Sequence, residues 1–366
     1  MDLYHRRSRF GKKMSQERAM REIIIDLGAL KSNLQYIKSK TNTSVLAVVK
    51  ADAYGHGLIP CAKAAVEAGA DWLGTALLEE AMELRAAGLK VPILAWLLPP
   101  GEDYKSAVNA NIDLGVSSLA VFDEINAIPG ARIHLEVETG MGRGGFSNEW
   151  PELLKRDLSK VVGVFTHLAR ADEPEQVQNQ TQIANFEARI AELNSLGINP
   201  IRHLANSAAT LSNPNSKFDL VRIGISMYGL SPIAADPNLK PVMKVRAKLV
   251  LVKDLPAGHP IGYGATESTA TDTKIGIVSM GYADGIPRNA KGVGVTFNGE
   301  SALIIGRVSM DQFAINLGVT SSAKSGDWVT VIGENFDAYA WAKACQTIHY
   351  EVTTRISSRI ERNYLW

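Results

Sequence analysis

Lys50 closes the run Val45-Leu46-Ala47-Val48-Val49, and the turn Tyr54-Gly55-His56-Gly57 follows it. Apolar residues without a polar break, most of them β-branched, read as a strand buried on both faces. A lysine at the carboxyl end of such a strand sits where α/β barrels keep their chemistry. Desolvation there moves the ammonium's titration toward neutrality, as a lysine that forms imines requires. The commoner fate of a strand-end lysine is to snorkel to solvent, so this stretch alone leaves both readings open. Other runs end in a similar way. Val161–Phe165 leads to Thr166-His167, Ile201–Ala205 to Asn206-Ser207, and Leu220–Ile223 carries Arg222 just before Gly224-Ile225. Taken singly, each has an ordinary structural use: a satisfied histidine, an N-cap, an arginine paired with a carboxylate. Together they bring an imidazole, a hydroxyl, exposed backbone N–H groups and a guanidinium to one face of consecutive strand ends. Ser207, opening a helix, is a natural phosphate donor. The phenol of Tyr54 is within reach of the same phosphate, although a tyrosine in a glycine-rich turn usually just caps a loop.

Those strand ends need a frame that sets them side by side. From Glu22 to about Lys240, short apolar runs alternate with amphipathic segments. Strands are expected at Ile23–Asp26, Val45–Val49, Trp72–Ala76, Pro92–Trp96, Ile112–Val116, Arg132–Glu138, Val161–Thr166, Ile201–Ala205 and Leu220–Ile223. Helices are expected at Leu27–Lys40, Leu58–Glu67, Leu78–Ala87, Ser118–Ile128 and Glu175–Leu196, with Gly69, Gly88 and Gly197 at left-handed caps. Such alternation implies parallel pairing with right-handed crossovers, and roughly eight units close a (β/α)8 TIM-type barrel. An open doubly wound sheet is the alternative, but no G-x-G-x-x-G follows the first strand.

After Pro241 the texture changes to strand-like runs separated by Gly, Asn and Asp, with Ala338–Gln346 the one clear helical pattern. The expected organisation is a basic tail over 1–21, a barrel over 22–241 and a mostly β C-terminal domain over 242–366. Hydrophobic content of 46% and charged content of 21% suffice for a sizeable core. A net charge of +1 argues for neither nucleic acid nor an anionic membrane as partner. Two distant cysteines, Cys61 and Cys345, make no disulfide framework and suit a reducing compartment. No apolar stretch approaches the ~20 residues of a membrane span, and the tail lacks a signal peptide's apolar core. The cytoplasm is the expected location.

The stretch AVVKADAYGHG around Lys50 resembles the cofactor-lysine signature of alanine racemases. These are fold-type-III enzymes that hold pyridoxal 5′-phosphate (PLP) as an imine on that lysine. The resemblance runs from about Glu22 to Arg362. It implies that His167 packs on the cofactor ring and that Arg222 faces the pyridine nitrogen. It places the phosphate among Tyr54, Asn206, Ser207, Tyr350 and the amides of Gly224 and Ile225. Gly262-Tyr263-Gly264-Ala265 resembles the loop of the catalytic tyrosine, so the resemblance makes Lys50 and Tyr263 the two bases. Arg143 and the Met310 amide would bind the substrate carboxylate, and Tyr282 would line the entrance. The same likeness implies a homodimer with shared active sites, alanine as substrate, D-alanine supplied for peptidoglycan, and no metal. An arginine does not release a proton to the ring at neutral pH, so the pyridine stays unprotonated and side reactions are limited.

The chain departs from the family pattern in places. Glu136 stands where many racemases carry a carbamylated lysine, seven residues before Arg143. A glutamate is already an anion and is expected to hold Arg143 by direct contact. Ile223, Ser309 and Glu267 replace a usual proline, a common cysteine and a frequent aromatic residue. Other readings are a broad-specificity or serine racemase on the same scaffold, a related basic amino-acid decarboxylase, and a non-catalytic PLP-binding protein. Arg222 opposes the decarboxylase, whose relatives pair the ring nitrogen with a carboxylate. The second domain carrying Tyr263 and Met310 opposes the single-barrel binding protein.

Overall fold

In the computed structural model, which describes residues 19–234 and 236–366, the chain divides into two compact units. One comprises Ile25–Met243 with Tyr364–Trp366; the other comprises 19–24 with Lys244–Asn363. The basic tail expected over 1–21 lies outside the described residues as far as residue 18.

The first strand, β1 (Arg21–Asp26), pairs with the β-rich unit's strands, although the apolar run Ile23–Asp26 reads from sequence like a barrel strand. Local pattern specifies a strand but not its sheet, and here Ile23 N–H donates to Glu361 C=O at 3.1 Å. The barrel itself has eight parallel strands: β2 (Ser44–Val48), β3 (Trp72–Thr75), β4 (Ile93–Ala95), β5 (Ile112–Val116), β6 (Ile133–Glu136), β7 (Val161–Phe165), β8 (Ile201–His203) and β9 (Leu220–Ile223). Their order is β8-β7-β6-β5-β4-β3-β2-β9. The two ends of that series are joined by Asp219 N–H to Arg202 C=O at 3.0 Å and Arg222 N–H to Ala205 C=O at 2.9 Å.

Both faces of these strands are covered. Val45, Leu46, Ala47, Leu73, Leu94, Leu114 and Val164 are fully buried, as a barrel lined inside by side chains and outside by helices requires. The buried polar side chains on or beside these strands include Asp113, His134, His203 and Arg222. Helices Leu27–Lys38, Leu58–Glu67, Leu78–Ala86, Leu119–Asn126 and Val177–Ser195 occupy the expected segments. Gly69, Gly88 and Gly197 take φ of +95°, +85° and +78° just past helix ends. The short helices Tyr104–Asn109 and Trp150–Leu153 were not legible as periodic patterns; at six and four residues they are too short to show one.

The β-rich unit is built on β10 (Met243–Leu255), whose buried Met243, Val245, Ala247 and Leu249 alternate with less buried residues. Beyond it come β11 (Pro260–Ile261), β12 (Glu267–Ser268), β13 (Thr273–Val278), β14 (Gly294–Phe297), β15 (Glu300–Leu303), β16 (Phe313–Asn316), β17 (Trp328–Ile332) and β18 (Arg362–Leu365). One half of β10 pairs with β17 and the other with β13, both antiparallel. Two short helices, Ala338–Ala344 and His349–Thr354, follow β17.

Candidate active site

Lys50 follows β2 by two residues, and the chain then takes an uncommon course. Ala51, Asp52, Ala53 and Tyr54 all have φ between 53° and 55°, so the turn Lys50–Gly55 winds left-handed without a glycine inside it. L-residues pay about 1–2 kcal/mol each for that hand. The opposing contacts are specific. Val49 N–H donates to Gly74 C=O at 2.8 Å, Ala53 N–H to Val49 C=O at 2.8 Å, and Gly57 N–H to Asp52 C=O at 2.8 Å. Asp52 Oδ1 accepts from Leu58 N–H at 2.8 Å and caps the next helix. Glu80, in the first turn of Leu78–Ala86, accepts the Ala51 N–H at 2.6 Å. Lys50 Nζ lies 5.9 Å from the centroid of the Trp96 ring, just past β4. Burial lowers the Lys50 pKa, the positive charges of Arg143 and Arg222 add to that, and Glu80 opposes it. The result favours the neutral, nucleophilic amine.

Tyr54, Ser207 and Gly224 converge on one spot. A Cβ on Gly224 would lie 2.3 Å from the Tyr54 hydroxyl, so only glycine permits this approach. Ser207 Oγ accepts the Gly224 N–H at 2.9 Å, which leaves the serine O–H to donate elsewhere. Asn206 acts as N-cap for Ser207–Ser212, accepting from Ala209 N–H at 3.1 Å. Hydroxyl and backbone donors around a glycine, with no carboxylate among them, have the chemistry of a phosphate cradle.

Arg222 is the most committed side chain of the site. Its Nη1 donates to His203 C=O at 2.7 Å and reaches His203 Nδ1 at 3.3 Å. Its Nη2 donates to Thr166 C=O at 2.7 Å and to His167 Nδ1 at 3.1 Å. Among the described residues Nε has no hydrogen-bond partner, so one donor remains for a ligand acceptor. Burial draws its pKa down to about 10, with Glu136 opposing and Arg143 adding to the fall, so the guanidinium stays charged at neutral pH. Because arginine only donates, His167 Nδ1 must accept, and the imidazole is neutral with its proton on Nε2. Burial first, then Arg222, Arg143 and Lys50, depress His167 to about 3. Gln182, on Val177–Ser195, fixes the loop around it: Nε2 donates to His167 C=O at 3.0 Å, and Oε1 accepts from Ala169 N–H at 2.9 Å.

Glu136 and Arg143 do not form the direct ion pair expected from sequence; among the described residues neither has an ion-pair partner. They interact through their fields instead. Burial raises the Glu136 pKa, while Arg143 and Arg222 pull it down. The Arg143 loop is shaped by the next carboxylate along, Glu138, which accepts from Met141 N–H at 2.7 Å and Gly142 N–H at 2.9 Å. Arg143 itself is exposed.

Tyr263, Tyr282, Met310 and Tyr350 all belong to the β-rich unit. Tyr282 N–H donates to Ser309 C=O and Ala283 N–H to Met310 C=O, each at 3.0 Å, so the Tyr282 turn and the Met310 loop are joined. Beneath them lies Asp284, its side chain fully buried, which accepts from Gly281 N–H at 2.9 Å and meets Arg21 at 3.2 Å and Arg359 at 3.1 Å. Arg359 also pairs with Asp311 at 2.7 Å. The Tyr263 turn is tied in by Glu267, whose carboxylate accepts from Gly306 N–H at 2.8 Å and pairs with Lys291 at 3.0 Å. Tyr263, Met310 and Tyr282 remain 68%, 54% and 42% exposed. Tyr350 lies on the helix His349–Thr354, its ring 4.9 Å from that of His349.

Sequence reasoning overlooked Glu80, Trp96, Gln182 and the buried pair His134 and His203. A signal existed for the last two: a titratable residue within an apolar strand must find a partner.

Two family models match the chain: the alanine racemase N-terminal domain over residues 25–232 and the alanine racemase C-terminal domain over residues 242–364. An alanine racemase of Salinispora tropica is 43% identical over 364 residues, covering 94% of this chain and 98% of that protein. The crystal structure of an alanine racemase from D-cycloserine-producing Streptomyces lavendulae superposes with a TM-score of 0.91 at 41% identity, covering 95% and 97% of the two chains. That of Bartonella henselae, with covalently bound pyridoxal phosphate, gives 0.88 at 29% identity, covering 95% and 100%.

Proposed function

The chain belongs to the alanine racemase family, and from that premise we propose how its residues interconvert L- and D-alanine with PLP. The observation that carries the reading is the set of strand ends around Lys50. A neutral-leaning amine, a hydroxyl-and-amide cradle and one uncommitted arginine donor fit, in turn, an aldehyde, a phosphate and a pyridine nitrogen. Lys50 would hold the cofactor; Tyr54, Ser207 and the Ile225 amide would hold its phosphate, the Gly224 amide joining them on leaving Ser207 Oγ, and the family likeness adds Asn206 and Tyr350 to that set. His167 supports the ring. When bound, PLP supplies an electron-accepting ring that tolerates negative charge at the substrate's α-carbon.

The protein's own groups do the rest. Arg143 and the Met310 amide orient the carboxylate, and Tyr282 narrows the approach. Lys50 Nζ takes or returns the proton on one face of the α-carbon, and Tyr263 Oη serves the other. His167 is neutral, so its help to the phenol is a hydrogen bond from Nε2–H and not a positive charge. Glu136 balances Arg143 and Arg222 through space. The exposure of Tyr263, Tyr282 and Met310 supports a head-to-tail homodimer in which each β-rich unit completes the partner's site and excludes water from it. We place the enzyme in the cytoplasm, where it supplies D-alanine for peptidoglycan. No helix among the described residues is long and apolar enough to cross a membrane.

Loss of optical activity from L-alanine incubated with pure protein tests the reaction, and relative turnover of alanine, serine, lysine and arginine fixes its range. Borohydride reduction should label Lys50; a pyridoxyl group on another lysine refutes the assignment. Mixing Lys50→Ala with Tyr263→Phe should restore activity through heterodimers with one intact site. Verified heterodimers without recovered activity would place both bases in one chain or remove Tyr263 from the mechanism.

A further inference from the structure

A line of buried polar groups runs through the barrel behind Arg222. His203 Nδ1 faces Arg222 Nη1 at 3.3 Å, and His203 Nε2 faces His134 Nδ1 at 2.9 Å. His134 Nε2 lies 3.1 Å from Asp113 Oδ2, while Asp113 Oδ1 accepts from Arg132 Nε at 2.9 Å. Both imidazoles are fully buried and Asp113 is 2% exposed. The line is built for these rings. His203 stacks on Phe165 with centroids 5.0 Å apart, and a Cβ on Gly163 would fall 2.0 Å from His134 Nδ1.

The direction of every hydrogen along it can be deduced. A guanidinium only donates, so His203 Nδ1 carries a lone pair and its proton sits on Nε2. That proton is donated to His134 Nδ1, which puts the His134 proton on Nε2, pointing at the Asp113 carboxylate. An imidazolium at His203 would set an N–H against the Arg222 N–H. One at His134 would leave His203 without any proton. Both rings are therefore neutral, and their dipoles align head to tail between the cation and the anion, an arrangement in which hydrogen bonds reinforce one another.

We propose that Asp113, His134 and His203 form a one-way hydrogen-bond chain that orients Arg222 and keeps it a donor. They are positioning residues, since none touches substrate or cofactor. The hydrogens along the chain point away from Arg222, so it cannot pass a proton toward the group Arg222 serves. Burial, with the Arg222 charge beside it, pushes His203 well below its ordinary pKa. Burial raises Asp113, but His134 and Arg132 outweigh it and hold the carboxyl below its usual range. The catalytic consequence rests on the reading that Arg222 faces the cofactor's ring nitrogen; the chain's polarity does not.

Nitrogen-15 NMR of the histidine-labelled holoenzyme at pH 7 tests the polarity. Both rings should be neutral with protonated Nε2 and bare Nδ1; an Nδ1–H or an imidazolium at either ring overturns the proposal. His203→Gln and His203→Leu test the positioning. The glutamine can accept from Arg222 through its oxygen and donate to His134 through its nitrogen, preserving the sense; leucine can do neither. His203→Leu and Asp113→Asn should lower kcat at least tenfold, leave KM for alanine within threefold and shift the visible absorption band. His203→Gln should keep more than a third of kcat. Equal kcat and equal spectra for the folded Leu and Gln variants would overturn the positioning role. If the Leu variant does not fold, a Gln variant that loses kcat tenfold does the same. An Arg222→Lys enzyme with unchanged band and kcat would instead refute the placement of Arg222 at the ring nitrogen, with the tautomers intact.

Discussion

Replacing Glu80 by alanine tests whether the turn behind Lys50 is held from outside itself. Glu80 Oε1 accepts the Ala51 N–H at 2.6 Å, and Oε2 accepts those of Ala76 and Leu77 at 3.1 Å each. One carboxylate thus ties the first left-handed residue to the end of β3. Each hydrogen bond to a charged acceptor contributes about 1.5–3 kcal/mol. Ala51 and Leu77 are exposed, so water recovers part of the loss. We expect a net cost of about 2–4 kcal/mol and a fall in Tm of roughly 3–5 °C for a chain of this size. Glu80→Gln keeps an acceptor oxygen without the charge and should fall between. The charge has a separate effect. Glu80 opposes the lowering of the Lys50 pKa, so its removal should let the amine titrate lower still. In cofactor-stripped protein, the pH at which PLP recombination reaches its plateau would then move down. Differential scanning fluorimetry and stopped-flow recombination read the two effects. A Glu80→Ala protein that melts within 1 °C of the parent, with an unmoved recombination profile, would refute the argument.

Ser207→Ala removes the acceptor of the Gly224 N–H and a phosphate donor together; PLP should bind about 10–100-fold more weakly by equilibrium dialysis, a loss of about 1.4–2.7 kcal/mol. Arg359→Ala cuts the link from Asp284 to Asp311, so kcat/KM should fall several-fold while circular dichroism stays that of the parent; unchanged kinetics would show that the Met310 loop is held without it. Acid should destabilise the fold well before the carboxylates titrate. His167, at about 3, and His203, well depressed, stay neutral in the native state, whereas the unfolded chain takes up their protons below about 6.5. Stability present above that pH is lost as it falls, by up to about 1.4 kcal/mol per pH unit for each proton; denaturant midpoints equal at pH 7 and pH 5 would contradict this.

The barrel was legible because its signals are local. Val45–Val49 is a continuous apolar run, Leu220–Ile223 is one broken only at Arg222, and Leu58–Glu67 has its expected bounds. Lys50, His167, Ser207 and Arg222 stand out because they interrupt or terminate such runs. What stayed hidden depends on partners far along the chain. Ile23–Asp26 looks like its barrel counterparts, and only pairing with β10 and β18 assigns it elsewhere. Glu80 looks like an ordinary first-turn glutamate until Ala51, twenty-nine residues away, is seen to point at it. The departure at Glu136 was visible, but its lack of a direct bond to Arg143 depends on side-chain reach, which spacing does not encode.

The left-handed turn after Lys50 also bears on the order in which the molecule is made. Only Asp52 and Gly55 in Lys50–Gly55 tolerate its hand readily, and as single residues; isolated, the segment would wind the other way or not at all. Gly74 and Glu80 brace it at Val49 and Ala51, and Tyr364 closes on its far end, where its hydroxyl occupies the space a side chain on Gly57 would need. Tyr364 lies about three hundred residues beyond that turn. A nascent polypeptide can therefore assemble strands and helices while its cofactor lysine still lacks its full setting, and maturation of that setting waits for a residue far along the chain to arrive. On dilution from denaturant, recovery of PLP binding should accordingly lag behind recovery of helical circular dichroism.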